Sequence, residues 1–186
     1  MIAAPQRLIL AGGLLFALLA LVATAAPWVA PYDPEAFEPS RVMGAPTLAH
    51  PFGSDVLGRD VLSRVIHGLR VSLAVSLAAV AISLVLAVPL GLVAGYFGAW
   101  VDSAISRTLD MILVLPAMLL AITFIAILGP GSIVATLAIA VIYLPILARV
   151  MRTSTLVVTR HEFVAGARAR GASHLRVLLG HVAPNA

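Results

Sequence analysis

Any chemistry this chain performs must come from few residues. Eight carboxylates, five histidines and twelve basic residues are spread over 186 positions, and there is no cysteine. Every basic residue is Arg. Without Lys there is no P-loop amine to hold nucleotide phosphates and no Schiff-base nucleophile, so ATP hydrolysis by this chain alone is excluded. Without Cys, disulfides, thiolate zinc sites and cysteine nucleophiles are excluded as well. His50, His67, His161, His174 and His181 include no i, i+4 pair of the zinc-helix kind, and they read as loop and surface residues. No Ser nucleophile elbow and no paired carboxylates in a cleft are visible. The expectation is a protein with no catalytic residues, no metal and no cofactor: not an enzyme. Asp110 is the one acid inside an apolar stretch, where a membrane-embedded enzyme or a proton relay would need several near the bilayer centre. Arg107 stands three residues before it, the helical spacing of an ion pair at the membrane boundary.

The rest of the chain says what must position those residues. It is 61% hydrophobic and 11% charged, with a mean hydropathy of +1.08. Soluble domains carry about 25% charged residues, so the solvent for most of this surface is lipid. Four stretches are long enough to cross a bilayer at about 20 residues each: Leu8 to Val29, Val71 to Phe97, Ile105 to Leu128 and Ile133 to Val150. The predicted fold is all-α, a polytopic transmembrane helical bundle with four spans. The first stretch has a second reading as a signal peptide, because Arg7, an apolar run and Ala23-Thr24-Ala25 mimic a cleavage site. Pro89, Pro116 and Pro145 each sit inside a later span, where each removes a backbone hydrogen bond and is placed to kink its helix.

The pI of about 10.7 would suit a nucleic-acid partner, but the Arg residues flank apolar segments as topogenic charges do, so no nucleic acid is expected. Beyond the fourth span stand Arg152, Arg160, Arg168, Arg170 and Arg176, opposed only by Glu162, which puts residues 151–186 in the cytoplasm. Four spans then put the N-terminus there too. The organisation reads as residues 1–30, a tail and first span; 31–70, an external loop; 71–150, spans two to four; and 151–186, a cytoplasmic loop. Spans two and three meet in a cytoplasmic turn at 99–103, spans three and four at Gly129-Pro130-Gly131 outside.

Between Pro27 and Pro51 six prolines impose an irregular chain. From 57 to 69 the pattern becomes helical, with Leu57, Val61, Leu62, Val65, Ile66 and Leu69 on one half of the wheel. Arg59, Asp60, Ser63, Arg64 and His67 occupy the other half. The expectation is an amphipathic elbow helix at the membrane surface, capped by Ser54 or Asp55. The cytoplasmic tail predicts a short Ala-rich helix broken at Gly171 and a second one carrying Leu175, Val177, Leu178 and Leu179, stopped by Pro184. Periodicity alone leaves a docking element and a solvated loop equally open.

Here the sequence resembles the permease subunits of binding-protein-dependent ABC importers of the dipeptide, oligopeptide and nickel type. Their cytoplasmic motif reads EAA, three residues, G, then, after nine intervening residues, I-x-L-P. Aligned on Gly171, the triplet falls on Ala165, Gly166 and Ala167 and the closing positions on His181, Ala183 and Pro184. Glu162, Ala167, Gly171, Ala172, Ser173 and Pro184-Asn185 match; Ala165 for Glu, Gly166 for Ala and Ala183 for Leu depart. The stretch from Phe52 to Arg64, with Gly58, Arg59, Asp60 and Arg64, reads like the family's F-G-T-D-x-x-G-R-D-x-x-S-R. Asp102, Arg107, Asp110 and Pro116, followed by Gly129-Pro130-Gly131, match as well.

The resemblance implies a bacterial inner-membrane permease that carries peptides or a related small solute such as nickel. It implies a second permease subunit, cytoplasmic ABC ATPase subunits and an external solute-binding protein as partners, besides the lipid bilayer. The loop around Gly171 would be the coupling helix seated on the ATPase, and transport would proceed by alternating access. Family members have about six spans and continue past Pro-Asn. The resemblance therefore also implies either a fragment of a longer product or a truncated, inactive copy serving as a membrane scaffold.

Overall fold

The computed structural model describes residues 4–186; the first three residues of the N-terminal tail lie outside the described residues. The elements among the described residues are helices, in keeping with an all-α membrane protein, and the only extended pairing is one isolated bridge between Ser54 and Asp60. The chain divides into two compact units, residues 1–74 and 75–186.

The first unit begins with α1, Ala4–Thr24, followed after a break at Ala25 by the single turn α2, Ala26–Val29. Pro27 fits there because the first turn of a helix needs no N–H from it. Large side chains along α1 (Leu8, Ile9, Leu14 and Leu21) are exposed, as a helix solvated by lipid requires. The segment 30–60 is irregular but internally tied, with one 3-10 turn at Pro39–Arg41. Next comes α3, Val61–Phe97, an unbroken run of 37 residues whose first part belongs to this unit.

That helix corrects the elbow expected at 57–69. Helical geometry starts at Val61, and α3 continues into the expected second span without a separate elbow. The cap is therefore Asp60, neither Ser54 nor Asp55. Its carboxylate accepts the Ser63 N–H at 2.7 Å, the N-cap bond to the third helical residue. The faces also differ from the wheel. Asp60 and Ser63 from the polar half are buried under the loop, while Val65 from the apolar half is 53% exposed.

In the second unit α3 is followed by α4, Ala99–Val114; α5, Ala117–Leu128; α6, Ser132–Val158; α7, Glu162–Ala169; and α8, His174–Val177. A π-turn, Leu178–Val182, and a 3-10 turn, Ala183–Asn185, complete it. Helices α1, α3 and α6 are each long and apolar enough to cross a membrane, and α4 with α5 would make a fourth span if taken together. The third stretch is broken where a kink was expected, and α4 and α5 meet at 84°. Pro116 is the cause. It offers no N–H, and its ring drives Leu115 out of the helical region, to φ −79° and ψ 127°. Pro89 and Pro145, in contrast, are carried inside unbroken helices.

α3 and α6 run parallel and close together. The Ser83 hydroxyl donates to the Ala140 carbonyl at 2.8 Å, and Gly91 and Gly95 face Ala148 and Thr155 in the same order. A Cβ on Gly91 would lie 2.6 Å from the Ala148 carbonyl oxygen, and one on Gly95 would lie 2.8 Å from that of Arg152. The backbone contact exists because both residues are glycine.

Candidate functional site

The polar groups of the second unit gather at one end, where α3 and α6 finish and α4 begins. Gly98, at φ +61°, turns the chain between α3 and α4. One turn later Asp102 accepts a two-nitrogen fork from Arg152 of α6, and the Ser106 hydroxyl donates to the same carboxylate at 3.1 Å. Two parallel bonds to a charged acceptor make this the strongest polar link between α4 and α6. Further along α4, Asp110 accepts from Arg149 at 2.7 Å.

The second pairing corrects the expected Arg107–Asp110 bridge. Arg107 lies exposed on α4 and pairs with no carboxylate among the described residues. Asp110 is taken by α6, whose antiparallel course past α4 brings Arg149 within bonding distance. The spacing rule saw only one helix. The better signal was in the sequence all the same: two acids on one helix and two Arg on another are placed to compensate each other once the helices pack.

Beyond α6 the chain builds the element expected around Gly171. Glu162 opens α7, where a negative charge suits the helix N-terminus, and it is exposed. Helix α7 ends in two crossed bonds, Gly171 N–H to the Arg168 carbonyl at 2.9 Å and Ala172 N–H to the Ala167 carbonyl at 3.2 Å. That is a Schellman ending, with Gly171 at φ +81° in the left-handed position. Val164 and Ala167 of α7 are buried with Val177, Leu178 and Val182 against Leu92 and Tyr96 of α3 and Val158 of α6, and Ala172 packs partly buried beside them. Ala165 and Pro184 are exposed and Gly166 is half-buried. The residues aligned with the family motif thus divide into an inner face, Ala167 and Ala172, and an outer face, Glu162 and Ala165.

Tyr96 fastens the element from beneath, and the sequence reading missed it. Its hydroxyl hydrogen-bonds His174 Nδ1 at 3.1 Å, and the Arg168 guanidinium lies over its ring, 4.9 Å from the centroid. A cation over an aromatic face at a partly exposed site is worth about 0.5–1 kcal/mol. No local pattern marks Tyr96, since its partners lie 78 residues away in the case of His174.

In the first unit, Gly58, Arg59, Asp60 and Arg64 build the start of α3. Gly58 has φ +75°, and a side chain there would strike the Glu38 carbonyl. Asp55 accepts the N–H groups of Leu57 and Arg59 and the side chains of Arg59 and Arg64. Desolvation would push its carboxyl up, but the Arg59 side chain and the two amides outweigh it and hold the group well below the usual carboxylate range. Burial likewise works against ionised Asp60. The Ser63 amide and hydroxyl and His50, 2.9 Å from its carboxylate, prevail and lower it. Tyr32 stacks on His50 at 4.4 Å between centroids and donates its N–H to Ser63 Oγ at 3.1 Å.

No cluster among the described residues has the composition of a metal site. The chain joins α4 to α6 through Asp102–Arg152 and Asp110–Arg149 and carries a packed helix-Gly-helix element after α6. The comparisons place it. Residues 87–186 match the family of binding-protein-dependent transport system inner membrane components, and the chain belongs to that family. Residues 6–51 match the N-terminal TM domain of oligopeptide transport permease C, whose description counts the stretch containing α1 as transmembrane.

Among its relatives, the di/tripeptide transport system permease protein DppC of Pseudomonas aeruginosa is 43% identical over 182 residues, covering 94% of this chain and 60% of that protein. The dipeptide transport system permease protein DppC of Alkalihalophilus pseudofirmus is 37% identical over 180 residues, 97% of this chain and 59% of its own length. The glutathione transport system permease protein GsiD of Pectobacterium atrosepticum is 37% identical, with 96% and 60% covered. The chain therefore spans about three fifths of the length of the curated relatives it matches.

Proposed function

We propose that this chain belongs to a permease subunit of an ABC importer, and that it lines part of the path for short peptides while taking up the motion of separate ATPase subunits. The observation that carries the reading is the α7–Gly171–α8 element. It is anchored on α3 and α6 through Val164, Val177 and Tyr96, and it presents Glu162, Phe163 and Ala165 outward. An element packed so firmly on its inner side transmits displacement instead of absorbing it. The relatives compared are named for dipeptides, tripeptides and glutathione, which favours peptides over nickel as cargo.

Family membership and the Arg distribution support the remaining parts of the reading. The N-terminus and residues 151–186 lie in the cytoplasm of a bacterial inner-membrane protein, and segment 30–60 faces outside. A second permease subunit completes the pathway, and a solute-binding protein delivers cargo to the outer face. Nucleotide binding at the ATPases favours one state of the bundle over the other, which is all that alternating access requires.

Gly171→Pro and Gly171→Trp test the docking. Proline cannot take the positive φ of this position, and any side chain is strained there by about 1–2 kcal/mol. Co-purification of the ATPase with the permease should be lost in both variants while membrane insertion stays normal. A complex that survives both substitutions overturns the assignment.

A further inference from the structure

The two links between α4 and α6 differ in how far they are satisfied. Asp102 receives two Arg152 nitrogens and Ser106, and its side chain is 18% exposed. Asp110 and Arg149 share a single bond, and their side chains are 58% and 59% exposed. Oδ2 of Asp110 accepts nothing among the described residues, and Arg149 keeps donors to spare of the five a guanidinium carries.

This open pair lies toward the other end of α4 from Asp102, four residues before its last residue, Val114. Asp110 lies about 17 Å along α4 from its start, at 1.5 Å per residue, and Arg149 follows one turn after Pro145 inside α6. Both line a cavity of about 260 Å³ with Ser106 and Arg152, closed by Gly91, Ala148 and neighbouring apolar residues. Opposite charges this exposed are costly to face hydrocarbon, which favours water on this side of the bundle.

Resting on the peptide-permease reading above, we infer that Asp110 and Arg149 form a subsite for the charged ends of a short zwitterionic peptide. The free guanidinium N–H groups of Arg149 take the terminal carboxylate, and Oδ2 of Asp110 takes the terminal ammonium. Arg152 is committed to Asp102 and supplies field instead of bonds. The cavity is slightly smaller than the pockets of about 300 Å³ and upward that enclose whole ligands, which suits a station for the ends of a di- or tripeptide on its way through.

The test uses the assembled permease–ATPase complex in phosphatidylglycerol nanodiscs, with no external binding protein, and measures equilibrium binding of radiolabelled L-alanyl-L-alanine. Saturable binding is expected, at least tenfold weaker in Asp110→Asn and in Arg149→Gln and unchanged in Arg107→Gln. The N-acetylated, C-amidated dipeptide should not bind. Asp110→Glu, which keeps the charge, should recover most of the affinity and guards against a folding defect in Asp110→Asn. Absence of saturable binding, equal binding of the blocked peptide, or binding indifferent to both neutral variants overturns the subsite. Displacement of the dipeptide by added phosphatidylethanolamine would assign the same chemistry to a lipid headgroup and overturn the peptide assignment. If the ATPase remains in the complex while the dipeptide fails to bind, the subsite alone is wrong. If no ATPase assembles with the native chain, the permease reading fails first.

Discussion

Arg152 grips Asp102 with both Nε and Nη2 across fifty residues of sequence, fastening the beginning of α4 to the last third of α6. Arg152 stands ten residues before Glu162, where α7 begins.

Removing either partner leaves a partly buried charge without its counterion. Asp102→Asn or Arg152→Gln should each cost about 2 kcal/mol, the scale of a hydrogen bond to a charged group, read as earlier thermal loss of the monodisperse detergent-solubilised protein. The charge-reversed double variant, Asp102→Arg with Arg152→Asp, should recover part of that loss. Strict additivity of the two single effects in the double variant Asp102→Asn with Arg152→Gln would show that the pair contributes no coupling energy.

The α3–α6 seam predicts a contrast among glycines. Gly91→Leu and Gly95→Leu should each destabilise by about 1–3 kcal/mol or more, because their side chains meet the α6 backbone. Gly12→Leu in α1, where nothing lies within 4 Å, should be tolerated. Thermal stability of the three variants side by side checks the seam.

The loop over the start of α3 should loosen in acid. Asp55 and Asp60 are both held below the ordinary carboxylate value, so the unfolded loop binds more protons than the folded one. Their contribution is complete above the unfolded pKa of about 3.9 and is lost as pH falls through the lower folded values. Hydrogen exchange at the Leu57, Arg59 and Ser63 amides, corrected for intrinsic rates, should be flat from pH 7 to about pH 5 and rise below about pH 4. In Asp60→Asn the Ser63 amide should exchange faster at neutral pH and lose most of that dependence.

Pro116→Ala returns an N–H to the backbone and frees Leu115 to become helical. The 84° angle between α4 and α5 should open, seen as a longer spin-label distance between positions 103 and 127. An unchanged distance would mean that packing of α5 on α6, not the proline, sets the bend.

Those elements show how far the sequence could be read. Long apolar runs located α1, α3 and α6, since hydropathy over twenty residues is a strong signal. It was blind to the difference between Pro116 and its two counterparts. All three lack the same N–H, and helix length does not separate them, since eight helical residues follow Pro89, thirteen follow Pro145 and twelve follow Pro116. At the site, Gly171 declared itself through the motif and the need for a left-handed residue. The partners of Asp110 and the role of Tyr96 did not, because both depend on which helices become neighbours. The elbow at 57–69 misled for a related reason. Asp60 and Ser63 of its polar half did not turn to water, because Tyr32 and His50 from the preceding loop supplied the bonds instead.

The parallel course of α3 and α6 also sets an order of events during biosynthesis. Ser83 and the carbonyl it bonds are 57 residues apart, and helices pointing the same way can meet only after the chain has gone back across through the intervening segments. Until α6 has emerged from the ribosome, the groove offered by Gly91 and Gly95 has no tenant, and the nascent chain depends on the insertion machinery or on lipid to cover it.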